Sequence, residues 1–287
     1  MVLPPWHLHP EVWALAAVLE GSYLWAVRRV GPAQLPAGIA PASRRQVTFY
    51  TIGVAAIWVA ATWPMHELSE HYLFSVHMVQ HMLISMVAAP LMLLGTPDWL
   101  LRMLLRRRPV YSVARRLTRP FVAFVIFNTV IVSTHWPAFV DFALHSEVFH
   151  FGAHALLFGA ALLMWWPVIS PLPEMPSLSY PGRMLYLFLQ SILPTVPASF
   201  LTFGSTPLYH FYETVPRIWG ISALTDQRIA GLTMKIVGGL ILWSVIAVIF
   251  FKWYGQEQTE GWDALEWRRV ERELRPDLRA STETARR

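Results

Sequence analysis

Histidines are the residues whose type and spacing suggest chemistry in this chain. The sequence of 287 residues holds 11 of them and no cysteine. His77 with His81, and His150 with His154, are four residues apart, so on a helix each pair shares one face and can chelate a single ion. His135 lies near the end of another predicted helix. Imidazole suits Zn, Cu, Fe and Ni, and we interpret these five histidines as a metal site.

Methionines accompany one of the histidine pairs. Met78, Met82 and Met86 recur every four residues beside His77 and His81. Thioether sulfur favours Cu(I), so Met78 and Met82 are predicted as further ligands, although core packing is the commoner reason for such a stripe. Two alternatives remain for the histidines: they are hydrogen-bonded structural residues at helix interfaces, or they form a proton relay.

Charged residues near the histidines could orient the imidazole rings. A carboxylate can orient a ligating imidazole through its other ring nitrogen, and four are candidates: Glu67, Glu70, Asp141 and Glu147. We expect Glu70 to be a solvated loop residue instead. Lys235 lies inside a predicted span and needs a partner, for which Glu20 is the candidate.

The elements that must position these residues are membrane helices. The chain is 55% hydrophobic and 14% charged, with a mean hydropathy of +0.41, whereas soluble domains are about 25% charged. We predict an all-α polytopic membrane protein, with one transmembrane bundle over residues 1–252 and a charged tail over 253–287 that contains a short amphipathic helix. Seven spans are predicted at about 11–27, 47–64, 73–95, 120–140, 148–169, 183–203 and 228–252.

Arginine distribution predicts the orientation of these spans. The loops after spans 1, 3 and 5 carry Arg28, Arg29, Arg44, Arg45, Arg102, Arg106, Arg107, Arg108, Arg115, Arg116, Arg119 and Arg183, and the opposite loops carry only Arg217 and Arg228. Basic loops stay in the cytoplasm, which places the N-terminus outside, the C-terminus inside and every histidine at the outer side. The absence of a basic segment before the first apolar run argues against a signal peptide, so we expect span 1 to remain as an anchor.

Several functional classes lack support in the sequence. The net charge of +5 comes from loops between spans, so we predict lipid contact and no nucleic acid partner. The segments HMVQH and HFGAH lack the glutamate of the HExxH zinc-protease motif. We therefore predict a protein that is not an enzyme.

Three segments resemble a known family. HMVQHMLISMVAAPLMLLGTP (77–97), HFGAHALLFGAALLMWWPV (150–168) and DQRIAGLTMKIVGG (226–239) are similar, in this order, to motifs of the multi-span CtaG family of bacterial cytochrome c oxidase assembly factors, which are associated with caa-type oxidase. The resemblance covers most of residues 10–252. It implies a role in the maturation of a haem–copper oxidase, with copper handled at the outer face of the plasma membrane.

The resulting hypothesis is an assembly factor that binds copper, as Cu(I), in the outer leaflet and passes it to an oxidase subunit. The predicted ligands are His77, His81, His150, His154 and His135, with Met78 and Met82. Haem–copper oxidase subunits and a periplasmic copper chaperone are the predicted partners. One alternative is a membrane b-type cytochrome, with axial histidines holding haem between quinol and an electron acceptor. The other is a metal or proton transporter.

Overall fold

Helices make up the chain in the computed structural model, which describes residues 4–284 and the side chains of residues 4–259. No strand occurs among the described residues. The helices are α1 (Pro10–Trp25), α2 (Gly31–Gln34), α3 (Arg44–Ala61), α4 (Met65–His71), α5 (Phe74–Met82), α6 (Ala89–Gly95), α7 (Asp98–Leu104), α8 (Arg108–Leu117), α9 (Pro120–Thr134), α10 (Pro137–Leu144), α11 (Glu147–Ile169), α12 (Tyr180–Ile192), α13 (Thr195–Phe203), α14 (His210–Thr214) and α15 (Ala223–Thr284). Two π-helical segments, Ala26–Val30 and Leu83–Ala88, join α1 to α2 and α5 to α6.

Four helical stretches, one of which joins α12 and α13, are long and apolar enough to cross a membrane. They are Phe74–Gly95, Glu147–Ile169, Tyr180–Phe203 and Ala223–Thr259. Two bent pairs, α3 with α4 and α8 with α9, raise the number of candidate spans to as many as six. The first predicted span falls on α1, which has 16 residues and carries Glu11 and Glu20, and it is not among these candidates. The all-α membrane class is therefore supported, and the count of seven stays a prediction.

The last helix runs on without interruption past the predicted end of the bundle. It extends from Ala223 to Thr284, so the backbone shows no break near residue 252. Side chains after residue 259, including those of the predicted amphipathic segment, lie outside the described residues. The division into a bundle and a tail remains a prediction.

Glycines allow two pairs of helices to touch at the backbone. A Cβ atom on Gly95 would lie 2.5 Å from the Tyr50 backbone nitrogen in α3. A Cβ atom on Gly231 would lie 2.8 Å from the Ala198 carbonyl oxygen in α13. Both distances are shorter than any real Cβ contact. Only glycine therefore lets α6 pack on α3, and α15 pack on α13, this closely.

A carboxylate from α15 caps the helix that carries His77 and His81. Helix α5 has no cap from a side chain of its own N-cap residue. Instead the fully buried Asp226 accepts hydrogen bonds from the backbone N–H groups of Phe74 (2.7 Å) and Ser75 (3.0 Å). A negative charge at a helix N-terminus also interacts favourably with the helix dipole. Asp226 thus fixes the start of α5 against the last span.

Replacing Asp226 by alanine should destabilise the fold although it removes none of the histidines. It would leave the buried N–H group of Phe74 and the partly buried one of Ser75 without their acceptor, and an unsatisfied buried group costs about 1–3 kcal/mol. We expect a clearly lower unfolding temperature in detergent for Asp226→Ala, and a smaller drop for Asp226→Asn, which keeps one carbonyl oxygen. The exposed Glu213→Gln serves as the control. An Asp226→Ala variant that unfolds at the wild-type temperature would contradict this role of the carboxylate.

Lys235 has a different environment from the expected one. Among the described residues no carboxylate lies within ion-pair distance of its ammonium, and Glu20 instead accepts a hydrogen bond from the Thr51 hydroxyl (2.7 Å). The Lys235 side chain is exposed on the surface of α15. The predicted Lys235–Glu20 pair is wrong, because long cationic side chains can reach the membrane surface along the helix without a partner.

Candidate metal centre

Two helices converge on a small cavity lined by four histidines. Helix α5 contributes His77 and His81, and α11 contributes His150 and His154. The cavity measures about 20 Å³, which is room for one ion or one water molecule. The rest of its wall comes from the end of α9, from α10 and from α11: Thr134, Phe139, Val140, Ala143, Leu144 and Ala153.

The imidazole rings are close enough to share an ion. The ring centroids of His77 and His81 are 4.3 Å apart, and those of His81 and His154 are 5.2 Å apart. The candidate ligand atoms of His77, His81 and His154 all lie within 4.8 Å of one another. His150 adds a ring 4.3 Å from His154. The four-residue spacing puts both members of each pair on one helix face, and the structure brings the two pairs together at one cavity.

Unpartnered ring nitrogens are the most informative feature of this cavity. Buried polar atoms in proteins are almost always hydrogen-bonded. Each of the five histidines predicted as ligands has one buried ring nitrogen without a hydrogen-bond partner among the described residues: Nδ1 of His77, Nδ1 of His81, Nε2 of His135, Nε2 of His150 and Nε2 of His154. Such atoms cost stability when left alone, and a metal ion would satisfy several of them together.

Two of these imidazoles are oriented through their other nitrogen. His135 Nδ1 donates to the Ile131 carbonyl oxygen at 2.7 Å. His150 Nδ1 lies 2.6 Å from Glu70 Oε1, in a contact that is bent relative to an ideal hydrogen bond. Both contacts leave Nε2 as the nitrogen available to a metal, as is usual for ligating histidines. The expectation that Glu70 is a solvated loop residue is wrong, since its side chain is only 15% exposed.

His135 lies at the border of the cavity. Its ring centroid is 5.8 Å from that of His81, and its backbone carbonyl accepts a hydrogen bond from the Tyr209 hydroxyl at 3.0 Å. It occupies the C-terminal end of α9. His135 is therefore placed to supply a further ligand from a third helix, next to the four that line the cavity.

The π-helical segment after α5 locks the histidine-bearing turn to α11. Ser85 Oγ donates to the His81 carbonyl oxygen (2.6 Å), and the Trp165 indole N–H donates to the Ser85 carbonyl oxygen (3.0 Å). One turn earlier, the fully buried Gln80 donates to the Ala60 carbonyl oxygen of α3 at 2.9 Å. Short π segments are frequent at functional sites, and this one positions His81 between two neighbouring helices.

Helix α4, which carries Glu70, is held in place by Tyr212 of α14. Burial, together with the carboxylates of Asp226 and Glu70, raises the pKa of the Tyr212 phenol well above its ordinary value. The phenol therefore stays protonated and donates to the Ser69 carbonyl oxygen at 2.7 Å. This bond anchors α4 beside the histidine cavity.

The two predicted methionine ligands lie elsewhere. Met78 packs in a separate apolar cluster with Phe74 and Tyr212. Met82 lines a second cavity, of about 30 Å³, together with Met86, Met164 and Met234. No methionine is among the residues that line the histidine cavity in the described part of the chain. Neighbouring residues on a helix point about 100° apart, so Met82 faces away from the cavity that His81 lines.

The other candidate carboxylates take different roles. Asp141 accepts a hydrogen bond from the Phe211 backbone N–H (3.2 Å), and Glu147 is exposed at the start of α11. Glu67 is buried and contacts His7, His9 and His71. Sequence reasoning named Glu70 as a candidate but favoured a solvated role for it, because nothing in the local sequence of α4 shows that it meets His150 on α11.

The chain matches one protein family and has relatives among known proteins. A family profile described as cytochrome c oxidase caa3 assembly factor (Caa3_CtaG) matches residues 21–256. Two proteins described as uncharacterized, from Mycobacterium bovis and Mycobacterium tuberculosis, are each 28% identical over 211 residues, or 65% of this chain. The match spans 31% of the length of each of these relatives. No solved structure matches the chain.

Proposed function

Because the chain belongs to the Caa3_CtaG family of cytochrome c oxidase caa3 assembly factors, we propose that it holds copper in the histidine cavity and supplies it to a haem–copper oxidase. One observation carries the proposal: a candidate ligand atom from each of His77, His81 and His154 lies within 4.8 Å of the other two, and these residues line a cavity of the size of one ion. Copper is the cargo of this protein and not the cofactor of a reaction, so the protein acts without catalysing one.

The donor set suits transient binding of Cu(I). Neutral imidazole is a good ligand for copper, and His77, His81 and His154 form the core of the site. His150, oriented by Glu70, and His135 on the border are the additional ligands that an incoming ion meets. A site of several imidazoles without thiolates releases copper by ligand exchange more easily than a closed thiolate site. We propose that the ion leaves when ligands of an oxidase subunit replace these imidazoles one by one.

The orientation in the bacterial plasma membrane follows from charge. Arginines crowd the loops at the end of the bundle opposite the histidines, and basic loops face the cytoplasm. We propose seven spans, with α1 as the first, an outer N-terminus and an inner C-terminus. The histidine cavity then faces the compartment from which a periplasmic copper chaperone delivers its ion.

The alternative of a b-type cytochrome fits the cavity less well. A haem between two axial histidines needs a flat slot as large as a porphyrin, whereas the histidine cavity has a volume of about 20 Å³. The rings around it are 4.3 to 5.8 Å apart. The volume and the ring spacing both favour a single ion.

A cell-based experiment tests the proposed function. A bacterium that lacks its own copy of the gene would express either the wild-type chain or a variant with His81→Ala and His154→Ala, and the copper and haem content of its purified oxidase would be measured. We expect wild-type protein to restore oxidase copper and the variant to leave it at the level of the deletion strain, with haem retained in both.

His210→Ala is the matched control, since His210 is exposed and pairs with Glu213 outside the cavity. Membrane levels of each variant would be compared by immunoblot. Full oxidase copper with the double variant present at wild-type level would refute the proposal.

A further inference from the structure

A second group of titratable side chains lies directly beside the metal centre. It combines two carboxylates of α4 with four imidazoles from α4 and the N-terminal segment, and we call it the carboxylate cluster: Glu67, Glu70, His7, His9, His66 and His71. The metal site predicted from the sequence includes none of these residues.

Glu67 is the centre of the outer half of this cluster. Its side chain is only 6% exposed, yet three imidazoles contact it: His7 Nδ1 at 3.2 Å, His9 Nε2 at 3.1 Å and His71 Nε2 at 3.6 Å. Within the described residues neither Glu67 nor Glu70 has a lysine or arginine partner. A buried carboxylate needs compensating positive charge, and here it comes either from imidazole protons or from a bound cation.

The cluster is continuous with the metal centre. The His9 and His66 rings are 4.5 Å apart. His66 Nδ1 lies 3.2 Å and His150 Nδ1 lies 2.6 Å from the same atom, Glu70 Oε1. His150 in turn is 4.3 Å from His154, ring to ring. Since imidazole nitrogen binds metals at about 2 Å, neighbouring groups at these distances can share an ion while it passes between them.

Exposure is highest at the outer end of this series and lowest at its inner end. The side chain is 59% exposed at His7, 16% at His9, 21% at His66 and 8% at His150. The N-terminal segment that carries His7 and His9 is held against α3 and α4, because the Trp63 indole N–H donates to the Pro4 carbonyl oxygen at 3.2 Å. The series therefore runs from solvent to the buried imidazoles, and it ends at the unpartnered Nε2 atoms of His150 and His154.

We propose that the carboxylate cluster is a transit site through which copper enters and leaves the metal centre. Glu67 and Glu70 supply negative charge that draws a cation into the bundle, and His9, His66 and His150 offer successive nitrogen ligands. Each transfer forms one metal–nitrogen bond as another breaks, without a change in the oxidation state of the ion. This inference rests on the proposed function, since it concerns the route to the same histidine cavity.

Rates of copper movement test the transit site separately from copper binding. The full chain in detergent would be loaded with Cu(I) from a weak complex in a stopped-flow instrument, and release would be followed with a chromogenic Cu(I) chelator. The variants are His9→Ala with His66→Ala, and His66→Phe, which keeps an aromatic ring against His9 but removes its nitrogens. His210→Ala is the control.

We expect loading and release to slow several-fold and by the same factor, with copper per chain and equilibrium affinity unchanged. The factors must be equal because an intermediate site alters the barrier and not the two end states. Wild-type rates in both variants would overturn the transit site. Loss of equilibrium copper binding in His66→Phe would also overturn it, since His66 would then be a ligand of the final site. A wild-type chain that binds no copper would instead refute the proposed function itself.

Discussion

Replacing His81 and His154 together by alanine should leave the purified protein without bound copper. The wild-type chain loaded under reducing conditions should hold about one Cu(I) ion, because a ligand atom from each of His77, His81 and His154 lies close enough to the others for one ion to bind all three. The double variant keeps one residue of this trio. The copper-to-protein ratio after removal of free copper, measured by mass spectrometry, should therefore fall from about one to near zero.

A thermal measurement adds a second readout to this experiment. Copper that binds only the folded state raises its unfolding temperature, so the wild-type chain should gain stability with Cu(I) and the double variant should not. Met82→Leu is the matched control, because it conserves side-chain volume and Met82 lines the other cavity. A double variant that still holds one copper ion would place the site elsewhere. Loss of copper in the Met82→Leu variant would indicate that the thioether of Met82 is a copper ligand.

Replacing Glu70 by glutamine should weaken copper binding without abolishing it. The Glu70 carboxylate contacts Nδ1 of His150, which leaves Nε2 of His150 available to a metal ion. Losing such an orienting carboxylate typically costs about 10- to 100-fold in metal affinity. Glutamine has nearly the same size and can still accept from His150, but it lacks the charge that makes the imidazole more basic. Competition with a Cu(I) chelator of known affinity would measure the effect.

Glu147→Gln separates this positioning role from a general loss of negative charge. Glu147 lies on the same helix as His150, but it is exposed, so its substitution should leave the copper affinity at the wild-type value. Unfolding temperatures without copper would be recorded for both variants. If Glu70→Gln binds copper as tightly as the wild-type chain, Glu70 does not orient a ligand and serves only the packing of α4.

Unpartnered nitrogens would suit the histidine cavity to the proposed role of binding copper and releasing it again. The unpartnered nitrogens lie on α5, α9 and α11, and these helices are fixed by contacts outside the cavity, such as the Asp226 cap and the Trp165–Ser85 hydrogen bond. The ligands are thus held in place whether or not an ion is present. An ion can depart without rearrangement of the bundle.

Several features of the site could be predicted from the sequence because they are local. Residues four apart on a helix share a face, so the pairs His77/His81 and His150/His154 were predictable once their segments were recognised as helical. The sequence left open whether the pairs meet, and the structure places both of them at one cavity. The family relationship was also predictable from three motifs, which all fall inside the matched residues 21–256.

Other features depend on which helix faces which, and the sequence pattern contains no such information. Met82 follows His81 directly, yet the two line different cavities. Glu70 was expected in solvent, but it contacts His150 across the space between α4 and α11. The aspartate of the DQRIAG segment shows its role only when α15 lies against the first turn of α5.

Composition and charge placement were sufficient for the membrane class, helical periodicity for the two histidine pairs, and the resemblance of three motifs for the family, since each depends on residues close together in the chain. The tertiary structure decided which nitrogens remain unpartnered, which carboxylate orients them, and that the methionines lie apart. Those properties depend on contacts between residues far apart in sequence, such as Glu70 with His150 and Asp226 with Phe74. Such contacts form only when the helices pack, and packing is determined by the shapes of whole helix surfaces.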